Sequence, residues 1–218
     1  MVREVFENKL KELHAELLRM VSVTEKQISL CMKALVNQDE KLALEVINND
    51  DIVDDMQRNI EDKCIKLIAM QQPLASDLRY IFTTAKIVTD IERIADHAVD
   101  ISKIAIRLKN EVYIKELIDI PRMCEMVEKM LKNSLDAYID ENVDRAYEVC
   151  KMDDKVDAIY KQVFSELLVL MVEDTKTINQ STQFLFICKF LERIADHITN
   201  ICEWTIYLVT GEQVDLNE

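Results

Sequence analysis

Residues Glu92-Arg93-Ile94-Ala95-Asp96-His97 recur unchanged as Glu192-Arg193-Ile194-Ala195-Asp196-His197, an offset of 100 residues. Upstream, Asp50-Asp51-x-Val53-Asp54 is matched by Asp153-Asp154-x-Val156-Asp157 at an offset of 103, so the connection that follows is three residues shorter in the second copy. A chain of 218 residues that repeats its own motifs at this distance is two copies of one module.

Periodicity makes each copy helical. Leu10, Leu13, Leu17 and Met20 alternate three and four residues apart, and Ile28, Cys31 and Leu35 resume the stripe after Thr24. Asn37-Gln38-Asp39 interrupts it, with Asp39 as an N-cap, and a second helix carries Leu42, Val46, Val53, Met56, Ile60, Cys64 and Leu67. Pro73 stops that helix; a third runs from about Leu74 to Lys109 with Ile87, Ile91, Ile94, Ala98 and Ile101 facing inward. The pattern softens from Glu111 to Asp119, where the module boundary is placed, giving repeats at 1–110 and 111–218. Pro121 sits in the first turn of a fourth helix, a fifth spans about Val143 to Glu173, Thr175-Lys176-Thr177 breaks it, and a sixth ends at the Gly211 cap. The predicted fold is all-α: two tandem antiparallel three-helix bundles related by an internal repeat. One glycine and two prolines leave little turn chemistry for a sheet protein.

Composition narrows the partners. The net charge is −14, which repels phosphate backbones and anionic lipid, so nucleic acid and bilayer surfaces are disfavoured and cations or basic protein surfaces favoured. No apolar stretch reaches spanning length and the N-terminus has no apolar signal region, so a cytoplasmic protein is expected. The six cysteines form no Cys-x-x-Cys pair and read as buried free thiols; the ten methionines and Trp204 read as core or interface filler.

The acidic residues carry the functional signal. Glu92 and Asp96 lie four apart, within about 40° on a helical wheel, as do Asp50 with Asp54, Asp153 with Asp157, and Glu192 with Asp196. In an antiparallel hairpin, positions equidistant from the turn are level. The midpoint of the first two pairs is Pro73 and that of the second two falls at Asp174 and Thr175, both in predicted turns. Each module therefore gathers four carboxylates at one height. Unpaired, they would raise one another's pKa, whereas a multivalent cation would hold them ionised. A metal site is expected in each half, on the surface of its bundle, with Asp100 and Asn200 as further oxygen donors one step along the stripe. An all-oxygen shell suits Mg²⁺, Ca²⁺, Mn²⁺ or iron and argues against a Cys-based zinc site. His97 and His197, about 100° round the helix from the adjacent aspartates, are read as outer partners rather than ligands. Asp51, Asp154, Arg93 and Arg193 are read as outer or partner-contact groups, Arg93 and Arg193 mainly as ordinary surface ion pairs.

With Gln72-Pro73-Leu74-Ala75-x-Asp77-Leu78-Arg79 ahead of the first Glu-Arg-Ile-Ala-Asp-His, the whole chain resembles the PhoU family, phosphate-system regulators of bacteria and archaea. The resemblance implies two three-helix bundles side by side and multinuclear clusters of iron, zinc or other divalent ions on the four acidic pairs. It further implies frequent homodimers and a non-catalytic role. As negative regulators, such proteins act between the high-affinity phosphate ABC transporter, through its ATPase subunit, and the sensor kinase of the phosphate regulon. The second repeat departs from the pattern, with Asn179-Gln180-Ser181-Thr182 in place of the Gln-Pro-x-x-x-Asp-Leu-Arg segment, so a surface role of Asp77 and Arg79 belongs to one half.

Two other classes compete. One is an enzyme, a carboxylate-bridged di-iron oxidase or a metal-dependent phosphatase on a helical bundle; a ferritin-like di-iron site would want Glu-x-x-His turned into the bundle core, whereas His97 follows Glu92 by five, which argues against the oxidase. A metal-free adaptor would use the acidic faces only to dock on a basic partner. No Gly-rich phosphate loop is present, and the acidic balance disfavours free phosphate unless a bound metal recruits it.

Overall fold

The computed structural model describes residues 2–71 and 73–217 and contains, among them, seven α-helices and one short 3₁₀ turn. They are α1 (Val2–Asn37), α2 (Glu40–Asn48), α3 (Asp50–Gln71), α4 (Ala75–Leu108), α5 (Asp119–Ile139), α6 (Val143–Glu173) and α7 (Ile178–Thr210), with the 3₁₀ turn Thr175–Thr177 before α7. The first bundle is α1 to α4 and the second is α5 to α7. No helix among the described residues is long and apolar enough to cross a membrane.

The turns repeat as faithfully as the motifs. Gln38 and Glu141, 103 residues apart, both adopt positive φ (53° and 49°). Each is followed by a residue whose N–H reaches back five positions, Asp39 to Ala34 O and Asn142 to Ala137 O, at 2.9 Å in both cases. This is a Schellman stop at a left-handed residue, here without glycine. The next helix then starts at once, because the Asp39 carboxylate accepts from the N–H groups of Lys41 and Leu42 and the Asn142 side chain accepts from that of Arg145. At the far end Gly211, at φ 79°, closes α7.

One expectation is corrected. The predicted second helix is two, α2 and α3, broken at Asn49. The run Asn48-Asn49-Asp50 is poor in helix formers, and Asp50 and Asp51 fall in the first turn of α3, where negative charge meets the positive end of the helix. The carbonyl released by the break accepts from the Gln27 side chain (3.3 Å) and the Ile52 N–H (3.2 Å). Both positions carry methionine in the second half, Met130 and Met152, and α6 runs unbroken.

The bundles join along α4 and α7, which pack antiparallel. Phe82 meets Trp204, Asp90 meets His197, His97 meets Phe190 and Arg107 meets Gln183, so positions on α4 rise as those on α7 fall. Because 90 and 97 correspond to 190 and 197, the seam lies on a pseudo-two-fold axis between the repeats. Helices α1 and α5 also touch across the two halves, with His14 stacked on Tyr138. The buried apolar residues of both halves form one continuous core. The link between the halves is pinned from both sides. Tyr113 Oη donates to Leu35 O (2.6 Å), Gln38 Nε2 to Leu108 O and Glu111 O, and the Gln180 side chain bonds the backbone at Val112 and Ile114.

Candidate metal centres

In the first half, Asp50 and Asp54 on α3 and Asp96 on α4 each offer a carboxylate oxygen within 4.8 Å of the others; among the described residues no other acid group closes so tightly. Glu92 joins them electrostatically. Burial, then Asp96, with smaller contributions from Asp54 and Asp50, pushes its carboxyl above the usual range against the opposing pull of Arg93. Asp50 is raised by burial, then by Asp96 and Asp54. The cation supply is thin: Arg93 Nη1 donates to Asp96 (2.9 Å), Arg58 stands 3.9 Å from Asp54, and Lys103 pairs with Asp100 (3.1 Å). Arg93 thus pairs within its own helix. Glu92 Oε2 is fully buried and accepts no hydrogen bond; Arg93 Nε lies 3.4 Å away without the geometry for one.

The second half repeats the level arrangement with Asp153 and Asp157 from α6 and Glu192 and Asp196 from α7. Its acids are less converged. Lys189 binds both oxygens of Glu192 (2.6 Å to Oε1) and Lys161 binds Asp157 (3.3 Å). Asp153 feels the crowding most. Its carboxyl is pushed up to about 7 by burial, then by Asp196, Asp157 and Glu192, and its Oδ1 is buried without a partner. Asp196 is raised by burial and Glu192. Each cluster therefore holds a buried oxygen that accepts nothing, an arrangement that costs folding energy unless a positive group arrives. Asp51 and Asp154 are exposed beside the clusters and act on them only through their charge.

Each cluster is partly open to solvent, the Asp54, Asp96 and Asp157 side chains being 33%, 34% and 37% exposed, and one edge of each turns to the seam between the bundles. Asp50, Asp96 and Asp196 border a cleft of about 600 Å³ on the seam, together with Arg93, Arg193 and both histidines of the repeated motif. The His97 and His197 rings face each other at 5.9 Å. Their other partners differ: His197 Nδ1 bonds Asp90 (2.9 Å), whereas His97 stacks on Phe190 (5.5 Å) with its Nδ1 unpartnered. Burial, and then His197, pushes His97 down to about 4. Arg193 makes no hydrogen bond or ion pair among the described residues.

Asn200 is engaged elsewhere. Its side chain donates to Asp90 (3.0 Å) and accepts from Asn217 (2.7 Å), part of a tail in which the Leu216 N–H also bonds Glu203. Asp90 is the seam residue that sequence reasoning missed. The signal was the mismatch within the repeat, an acid at 90 against Phe190. Asp77 and Arg79 are remote from the acids. Arg79 stands over the Tyr207 ring (5.7 Å), donates to Leu208 O (3.4 Å) and packs its guanidinium against Gly211. Asp77 lines a second cleft there with His14, Tyr80 and Tyr138.

The donor set fits metal ions of the hard, oxygen-loving kind. Asp50, Asp54, Glu92 and Asp96 would hold them across α3 and α4, and Asp153, Asp157, Glu192 and Asp196 across α6 and α7. A bound cation would supply positive charge that ties the paired helices together, and the two orphan oxygens would gain a partner.

Comparison with known proteins agrees with this architecture. The family model of the PhoU domain matches twice, over residues 17–105 and 120–205. A phosphate-specific transport system accessory protein PhoU homolog of Clostridium acetobutylicum is 59% identical over the full length of both chains. The corresponding protein of Pseudomonas aeruginosa is 36% identical over 98% of this chain and 88% of its own. The crystal structure of PhoU from Pseudomonas aeruginosa superposes with a TM-score of 0.91 at 36% identity, covering 95% of this chain and all of that one. The phosphate transport system regulatory protein PhoU from Streptococcus pneumoniae superposes with a TM-score of 0.90 at 32% identity, covering 96% and 99%. By sequence along its whole length and by fold, this chain belongs to the PhoU family.

Proposed function

We propose that this protein is a metal-binding, non-catalytic regulator of phosphate uptake that restrains signalling between the phosphate ABC transporter and the sensor kinase of the phosphate regulon. Its relatives are accessory proteins of the phosphate-specific transport system, which supports the transporter as partner. The observation that carries the metal reading is the pair of partnerless buried oxygens, Glu92 Oε2 and Asp153 Oδ1, one in each repeated acid cluster. Iron and zinc are the first metals to test, then manganese, magnesium and calcium.

In this reading the carboxylates work as clamps. Metal held between α3 and α4, and between α6 and α7, sets the stiffness and charge of each bundle, and the set surface is what the ATPase subunit and kinase recognise. A cytoplasmic homodimer is the form in which we expect it to act.

The test is elemental mass spectrometry on untagged protein, with the variants Glu92→Ala/Asp96→Ala and Glu192→Ala/Asp196→Ala, each also assayed for phosphate repression in cells. The proposal expects each pair of substitutions to remove about half of the bound metal and to weaken repression. Metal-free wild-type protein after reconstitution would sink the metal reading and return the acidic faces to being docking surfaces. Full repression by both variants would separate metal from regulation.

A further inference from the structure

The seam cleft holds an imbalance that the two metal clusters do not use. Arg93 and Lys103 from α4 and Arg193 from α7 border it. Arg93 and Lys103 are occupied, by Asp96 at 2.9 Å and Asp100 at 3.1 Å, whereas Arg193 has no such partner among the described residues. In the wall sits His97, only 9% exposed, with neither ring nitrogen hydrogen-bonded among the described residues and its Nδ1 fully buried. Its counterpart His197 has Asp90 as a partner where His97 has Phe190, so the unpartnered Nδ1 of His97 is a departure from the pseudo-symmetry rather than a property of the motif.

Without metal the cleft is no anion site, because Asp50, Asp96, Asp100 and Asp196 outnumber the three permanent cations. The balance changes if the aspartates of the clusters bind cations. Asp96 would then turn its oxygens to the metal and release Arg93, which would stand with Arg193 across the pseudo-two-fold axis. Two guanidiniums and one unsatisfied imidazole, in a cleft whose lining is charged or polar apart from Val99, match a tetrahedral, doubly charged oxyanion, since each guanidinium can donate two parallel charge-assisted hydrogen bonds.

We infer that the seam cleft binds orthophosphate when the carboxylate clusters carry metal, with Arg193 and Arg93 as the principal donors and His97 as a third. The inference rests on the metal reading above and gives the regulator a ligand that bridges α4 and α7, and hence the two halves.

The experiment is equilibrium dialysis with radiolabelled orthophosphate on metal-loaded wild type, metal-stripped wild type, Arg193→Gln and Arg93→Gln, with metal content measured on every sample and folding followed by circular dichroism. Arg193 is exposed, so its substitution should leave the fold intact. Metal-loaded wild type should bind about one orthophosphate per chain, and stripping the metal or replacing either arginine should weaken binding about tenfold or more. Arg193→Gln should keep its full metal. Phosphate binding by Arg193→Gln at wild-type strength would overturn the inference, as would a metal-loaded wild type that binds none; both leave the metal reading untouched. A wild type that takes up no metal would remove that reading and this inference together.

Discussion

The two halves share a motif but not a setting for it. In the first, the chain breaks at Asn49, so Asp50 opens a helix and its carboxylate sits at the positive end of α3; in the second, the equivalent Asp153 lies in the middle of unbroken α6. Asp50, Asp54 and Asp96 converge to within 4.8 Å, whereas Glu192 is held by Lys189, a residue whose counterpart in the first half is Thr89. The first cluster is preassembled. The second has to release Glu192 from a lysine and to ionise an aspartic acid pushed up to about 7. Identical hexapeptides thus end up with different electrostatics because of residues outside them.

The largest consequence should be a metal affinity that separates the halves by pH. A carboxylate must be deprotonated to ligate, so below its pKa of about 7 Asp153 resists metal, and the second site strengthens as pH rises through that value. Metal per chain, measured by elemental mass spectrometry, should come from the first half near pH 6 and rise towards double by pH 8, the second site being weaker by about tenfold or more at the lower pH. Lys189→Ala should narrow the gap by freeing Glu192. Equal filling at both pH values, tracked with Asp50→Ala/Asp54→Ala as the first-site knockout, would show that the local difference does not reach the metal.

The seam offers the next largest contrast, His197 against Asp90 in one direction and His97 against Phe190 in the other. Asp90→Ala strips both His197 and Asn200 of a buried acceptor and should cost about 2–3 kcal/mol. Phe190→Leu at the mirrored place keeps an apolar side chain and should cost about 1 kcal/mol. Urea unfolding of the two variants measures the difference; equal losses would mean that the hydrogen bonds at Asp90 add nothing beyond packing.

Much of this is legible in the sequence, and what is not has one physical cause. The helix ends were written locally: Asp39 as a cap, Pro73 in one turn, Gly211 at the end of α7, and the hairpin arithmetic that levels the acids needs only residue counts. Asn49 was missed because an uninterrupted apolar stripe from Val46 to Val53 outweighed two asparagines, and the carbonyl that the break exposes is satisfied by Gln27, which is distant in sequence. The antiparallel seam, the pairing of Asp90 with His197 and the placing of the clusters beside a shared cleft all depend on how the two bundles dock. A helical wheel of one bundle places Asp96 on the surface, and its side chain is 34% exposed, but the wheel does not show that this surface borders a cleft shared with the other bundle.

Gln27 lets the halves be exchanged. Gln27→Met copies Met130 into the first half but leaves the Asn49 carbonyl without its side-chain donor, and should cost about 1–2 kcal/mol. Adding Asn49→Met, the residue at 152, should recover part of that by letting α2 and α3 join. If the break is what sets the first cluster apart, the double variant should also move its metal uptake to higher pH. Recovery of stability with unchanged uptake would assign the difference to Lys189 instead.

The smallest expected effect is on the metal-free protein, and its sign follows from Asp153. Its folded-state pKa, about 7, is raised above the ordinary value of 3.8, so between these values the folded chain binds protons that the unfolded chain has released. Stability of the stripped protein must therefore fall as pH rises across that window and level off above about 7. Asp50 is raised as well, so the first cluster adds to the slope in the same direction. Asp153→Asn removes the penalty in the second half, and calorimetry at pH 8 should show the stripped variant melting about 2–4 °C above the stripped wild type, with little difference at pH 4. Asp50→Asn should gain less, because its carboxylate already sits at a helix N-terminus. A larger gain from Asp50→Asn than from Asp153→Asn would reverse the assignment of strain between the halves. Metal should erase both gains, since a cation between the acids removes the reason for either to hold a proton.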